Sequence, residues 1–266
     1  MILVVYRILY GTDFLERSIR SVYDGADKIF VGYSSEPWSR PVNFPNIRDI
    51  EQSPPDVIKK YFDLSEGKIT LFRQQQTTPK GEFNYLYSWA VDLLKRKPEV
   101  VVFMEPDMVW APGVFKSFIE EAQRRASEYL FAPQIELWKT NEWRIRQRNR
   151  LGPAAYKKFV PELGFGQFTQ PPQHSIISKA GCYNFGFCLN EKTMLYKHEA
   201  ALDFSTKIGD SVPSETWYKE KWLQWTPNTT NLEPSANHTH LIRQAISYDM
   251  PEDMRKFMDE NPVKNT

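Results

Sequence analysis

The chain has 266 residues, 41% hydrophobic and 25% charged, a composition that suits one α/β domain able to build its own core without a disulfide framework or structural metal. Lys and Arg total 34 against 33 Asp and Glu, so net charge draws the chain neither to nucleic acid nor to an anionic membrane. No run approaches the roughly 20 apolar residues of a membrane span, and Arg7 and Asp13 break the apolar start too early for a signal-peptide core. With Cys182 and Cys188 read as buried thiols outside any disulfide, this predicts a soluble protein of a reducing, cytoplasmic compartment.

Ile2–Ile8 is a β-rich run closed by the turn signal Tyr10-Gly11-Thr12. Asp13 and Glu16 stand in capping-box register and predict a helix that buries Leu15, Ser18, Ile19 and Val22. Lys28–Tyr33 reads as a second strand, which completes a β-α-β unit and implies a parallel sheet with a right-handed crossover. Residues 36–55, rich in Pro and polar side chains, predict a loop; 56–64 a short helix; 68–73 a third strand. A helix over 82–96 follows, with Phe83, Leu86, Tyr87, Ala90, Val91 and Leu94 in one stripe, and Pro98 ends it. Val100–Met104 is apolar throughout, as in a central parallel strand covered on both faces. Pro112 opens a helix reaching about Ala126.

In the second half, 129–138 and 182–189 read as strands, 139–158 as a basic, aromatic segment helical in part, and 161–173 as a Gly- and Pro-containing loop. Residues 214–225 read as an aromatic-rich helix, and the tail beyond Pro251 as polar and loosely held.

The sharpest chemical feature is Glu105-Pro106-Asp107, directly after the most strand-like segment. Ligands of open α/β sheets bind beyond the carboxyl ends of the strands. Two carboxylates one residue apart on an extended chain point to the same side and suit a hard divalent ion that neutralises a diphosphate. The alternative is an ordinary polar turn. His238 and His240 place two imidazoles on one face of an extended segment, His174 lies in the central loop, and His198 is expected on a solvated face beside Lys197 and Glu199. Asp210 and Glu215 flank an apparent helix start, where a carboxylate is either a favourable end charge or a general base. The run Trp143 to Arg150 is either a solvated basic face or a phosphate-contacting surface.

Together these segments resemble glycosyltransferase family 2 and its GT-A relatives. The resemblance runs through Leu3-Val4-Val5-Tyr6-Arg7, the stretch Asp13 to Val22, Ala26 to Val31, and Val102-Phe103-Met104-Glu105-Pro106-Asp107. That last stretch is similar to the family's Asp-x-Asp metal motif with Glu in the first place. Glu215 to Trp222 and Asn237-His238-Thr239-His240 resemble the end of such enzymes more loosely. The position where relatives carry aspartates after the second strand reads Tyr33-Ser34-Ser35-Glu36, and their Arg-Asn pair on the third helix is missing.

The resemblance implies an α/β, GT-A (Rossmann-like), mainly parallel sheet flanked by helices. Residues 1–126 would be the nucleotide-sugar-binding half, 127–250 the less regular acceptor-side and catalytic part of the same domain, and 251–266 a polar tail. It implies transfer of a sugar from a UDP- or GDP-type donor to an acceptor hydroxyl, with inversion, using Mn2+ or Mg2+. Tyr6, Arg7, Ser34 and Glu105 would contact the nucleotide, Asp107 and Glu105 with His238 or His240 would hold the metal, and Glu215 or its rival Asp210 would act as base. Two other readings stay open: a nucleotidyltransferase, although no Gly-rich loop follows the first strand, and a non-catalytic carbohydrate- or RNA-binding protein using Trp143 to Arg150.

Overall fold

The computed structural model describes residues 1–34, 51–74, 79–146, 151–157, 175–198, 217–232 and 244–260. Strands β1 (Ile2–Ile8), β2 (Lys28–Tyr33), β3 (Ile69–Arg73) and β4 (Val100–Met104) lie in the order β3-β2-β1-β4, all parallel. Successive residues of a strand face opposite sides of its sheet. On β1, Ile2, Val4, Tyr6 and Ile8 pack with residues of α1 (Leu15–Tyr23), α2 (Pro54–Tyr61) and α4 (Val114–Arg124), while Leu3 and Val5 pack with Leu86 and Ala90 of α3 (Pro79–Leu94). Both faces of the sheet are therefore covered, as the unbroken apolar character of β4 requires.

The sheet continues beyond β4 in antiparallel fashion. Strand β5 is Met108–Trp110, β6 Tyr129–Trp138, β7 Thr140–Ile145, β8 Leu151–Tyr156, β9 Ser175–Ile177, β10 Cys182–Phe187 and β11 Ala245–Ser247. β8 joins β4 to β6, β7 pairs with β6, and β11 pairs with β7. β10 lies parallel to β6 and antiparallel to β5, and β9 lies parallel to β6. The architecture agrees with the expected α/β class: a mainly parallel central sheet flanked by helices, with a less regular second half.

Several local expectations are corrected. Residues 140–145 and 151–156 are strands rather than helix. Trp143 and Ile145 turn inward while Thr140, Glu142 and Arg144 are exposed, the period of two of a strand, which a helical reading misses. Asp13 does not cap α1. A single 3-10 turn (Thr12–Phe14) comes first, no side chain caps the α1 start, and the Asp13 carboxylate accepts hydrogen bonds from Asn190 N and Nδ2 at 3.1 and 2.9 Å. Its capping-box partner Glu16 is buried and paired with Arg17 and Arg20, each at 3.4 Å. The tail beyond Pro251 forms a docked helix, α6 (Glu252–Asp259), because Met254 and Phe257 fill a cluster with Val109, Leu137, Tyr183 and Phe185. A short helix over 191–198, here α5, and a π-helical turn (Trp217–Leu223) build another cluster around Trp138, Trp217 and Trp222.

Two tethers fix the loop after β1. Ser34 N donates to Ile8 O at 3.0 Å. The Glu51 carboxylate accepts from Gly11 N and Thr12 N at 3.1 and 3.2 Å, a geometry for which Gly11 adopts φ +89°.

Ser18 is the central polar pin. Its buried hydroxyl meets Tyr6 Oη at 3.0 Å and donates to Met108 O, tying α1 to β1 and to the start of β5. Ser18→Ala leaves the buried phenol and carbonyl unsatisfied, so a loss of about 1–2 kcal/mol is expected by denaturant unfolding. An unchanged midpoint would show that the pin is dispensable.

Candidate functional site

β1 leads through α1 to β2 on one side, whereas the chain returns through α3 to β4 on the other side of β1. The strand order reverses between β1 and β4, and such a switch point opens a crevice at the strands' carboxyl ends. There a cavity of about 250 Å³ is lined by Arg7, Leu9 and Tyr10 from the β1 end and by Glu105, Pro106 and Asp107 from the β4 end. Glu136 of β6, Asn184, Gly186 and Phe187 of β10, and Lys197 of α5 complete the wall.

The two carboxylates sit in a turn, not on an extended chain. Met108 N donates to Glu105 O at 3.1 Å, so Glu105 opens a β-turn with Pro106 at its second position, where the fixed φ of proline fits. The turn gives each carboxylate a different neighbour. Glu105 Oε1 accepts from Arg7 Nη2 across the switch point, whereas Asp107 Oδ2 faces Lys197 Nζ at 3.7 Å. Asp107 O also accepts from Phe185 N at 2.8 Å, which fixes the turn against β10. Lys197 Nζ donates to Gly186 O at 2.7 Å, and Asn184 Oδ1 accepts from Gly186 N at 2.7 Å. Burial first, then the carboxylates of Glu105 and Asp107, push the Tyr10 phenol up, so it stays protonated as a neutral hydrogen-bonding group. Burial likewise pushes the Cys188 thiol up, which makes it a poor nucleophile.

Of the residues singled out from sequence, Arg7, Glu105 and Asp107 meet in this cavity. Tyr6 does not: adjacent strand residues face opposite ways, and its side chain is fully buried with its hydroxyl on Ser18. Ser34 is buried behind the β1 end and is not part of the lining. Asp210, Glu215, His238, His240 and His174 lie outside the described residues, as do residues 147–150. His198 is not on a solvated face; it is buried and stacks on Trp217 and Tyr218, each at 5.6 Å. Sequence reasoning missed Tyr10, Glu136, Asn184, Gly186 and Lys197. For Lys197 a signal existed: it is the lone cation within Met194-Leu195-Tyr196-Lys197-His198, whose Met194, Tyr196 and His198 are all buried.

A divalent ion is expected at Asp107 and Glu105, but the described donors do not fit one as arranged. Each carboxylate faces a cation of the protein, and among the described residues no group of three or more His, Cys, Asp or Glu is placed to hold a metal.

No family model matches the chain, and no curated protein matches its sequence. Matching solved structures include GalNAc-T7 with UDP, GalNAc and Mn2+, at 14% identity over 52% of this chain, with a TM-score of 0.36. Another is S. aureus TarS 1-349 in complex with UDP-GlcNAc, at 11% identity over 52% of this chain, with a TM-score of 0.35. The matches span 23% and 35% of those two chains. Among the described residues no helix is long and apolar enough to cross a membrane.

Proposed function

We propose that this chain transfers a sugar from a nucleotide-diphosphate sugar, of UDP or GDP type, to an acceptor hydroxyl. The observation that carries the reading is the convergence of Arg7, Glu105, Asp107 and Lys197 at the switch point between β1 and β4. A nucleotide-diphosphate donor needs cations for its phosphates and carboxylates for its ribose and sugar hydroxyls, and this crevice supplies both. Residues 1–126 form the donor half in this reading, and 127–250 the wall that faces the acceptor. In the inverting course that the sequence resemblance implies, a carboxylate takes the acceptor's hydroxyl proton while that oxygen attacks the anomeric carbon. The bond from sugar to phosphate breaks, and the nucleoside diphosphate leaves with the electron pair. Glu215 and Asp210 are the bases the resemblance offers; Glu136, buried in the cavity wall, is the described candidate. A cytoplasmic setting belongs to the same reading, since neither Cys182 nor Cys188 forms a disulfide.

The test is thermal unfolding of the full chain with a panel of nucleoside diphosphates. A ligand at 100 times its Kd stabilises the folded state by about 2.7 kcal/mol, and for a chain of this size the midpoint rises by roughly 5–10 °C. One nucleotide of the panel is expected to give that shift, and Arg7→Ala to remove most of it. If no nucleoside diphosphate moves the midpoint, with or without added Mn2+, the transferase reading fails.

A further inference from the structure

We infer that Lys197 holds the diphosphate of the donor, supplying as a built-in ammonium the positive charge that the sequence resemblance assigns to a divalent ion. The inference rests on the donor reading above and names the group that recognises the phosphates.

Three features of the site point to it. The first is placement. Lys197 projects from α5 into the cavity with its ammonium 5.3 Å from the Phe187 ring centroid and 5.8 Å from that of Tyr10. The helix it stands on is anchored at both ends. Asn190 caps it through Thr193 N at 3.0 Å and is itself held by Asp13 from the loop after β1. At the other end His198 stacks on Trp217 and Tyr218. The ammonium is thus set at the rim of β1 by packing on either side, which limits the ordering cost of using it.

The second is donor capacity. An ammonium has three N–H donors. Among the described residues Lys197 makes one short hydrogen bond, to Gly186 O, and holds Asp107 Oδ2 only at ion-pair distance, 3.7 Å. A phosphate oxygen entering the cavity can take an N–H without disturbing the Gly186 anchor.

The third is the strength of its pairing. Arg7 is hydrogen-bonded to Glu105, whereas Lys197 holds Asp107 only at ion-pair distance, so of the two cations Lys197 is the one an entering phosphate can draw on.

The deciding experiment is calorimetric titration of the full chain with UDP, UMP, GDP and GMP, each in EDTA and in Mn2+, on wild type, Lys197→Met and Lys197→Arg. For the nucleotide that binds, the diphosphate is expected to outbind the monophosphate in EDTA, and Mn2+ to leave its Kd nearly unchanged. A hydrogen bond to a charged group corresponds to roughly 10- to 100-fold in affinity, so Lys197→Met should lose about that much for the diphosphate and little for the monophosphate. Lys197→Arg should retain most of the preference. A diphosphate affinity that depends on Mn2+ in the wild type overturns the inference and leaves the donor reading standing; that arm needs no variant and holds even if Lys197→Met fails to fold. Equal loss for mono- and diphosphate in a folded Lys197→Met also overturns it. If no nucleotide binds in either condition, the donor reading falls and the inference with it.

Discussion

Gly186→Ala is expected to lose about 100-fold or more in transfer while its unfolding midpoint hardly moves. A Cβ built at Gly186 would stand 2.8 Å from each of three polar atoms, Asn184 Oδ1, Asp107 Oδ2 and Lys197 Nζ. These are ends of side chains, which can swing aside at small cost, so the fold survives. The site does not, because the displaced atoms belong to residues that line the switch-point cavity, and in the proposed transfer a misplacement of about 1 Å at a reacting centre costs about 100-fold. The paired measurement is transfer or nucleotide affinity alongside thermal unfolding. A large drop in midpoint with affinity intact would show that Gly186 serves packing and not the site.

Gly32→Ala should do the reverse and weaken the fold first. Its Cβ would fall 2.3, 2.5 and 2.9 Å from Cδ2, Cδ1 and Cγ of Leu86. Here all branches of one fully buried side chain are in the way, and β2 cannot retreat because it is paired with β1 on one side and β3 on the other. Overpacking of this kind costs about 1–3 kcal/mol, and the upper end is expected, with a midpoint lower by roughly 5–10 °C. Leu86→Ala alone opens a cavity at about 2–5 kcal/mol. The double variant should lose clearly less than the sum, since the new methyl fills part of the space that Leu86 leaves. Additive losses would mean that the two residues do not share that space.

The parallel half was legible from sequence because its signals are local. Val100–Met104 is apolar throughout and Ile2–Ile8 apolar but for Arg7, and their length and flanking turns point to buried strands. The strand-end pair Glu105 and Asp107 was legible for the same reason. What escaped depends on contacts far along the chain. Asp13 stands at capping spacing, yet Asn190 competes for its carboxylate. Lys197 looked like part of a charged patch until β10 brought it opposite Asp107, ninety residues earlier in the chain. The 140–145 segment mixes polar and aromatic residues that suit a helix or a strand, and only its pairing with β6 and β11 decides. The resemblance places Arg7 and Tyr6 together at the nucleotide, although the alternation of a strand separates neighbours to opposite faces.

The two moorings beside β1 bear on the cavity wall. The chain leaves through Ser34, bonded to Ile8, and is caught again by Glu51 on Gly11 and Thr12, so both shores of residues 35–50 lie against the same five-residue stretch. Leu9 and Tyr10, which line the switch-point cavity, stand between the two contacts, so loosening either one reaches the cavity wall through them.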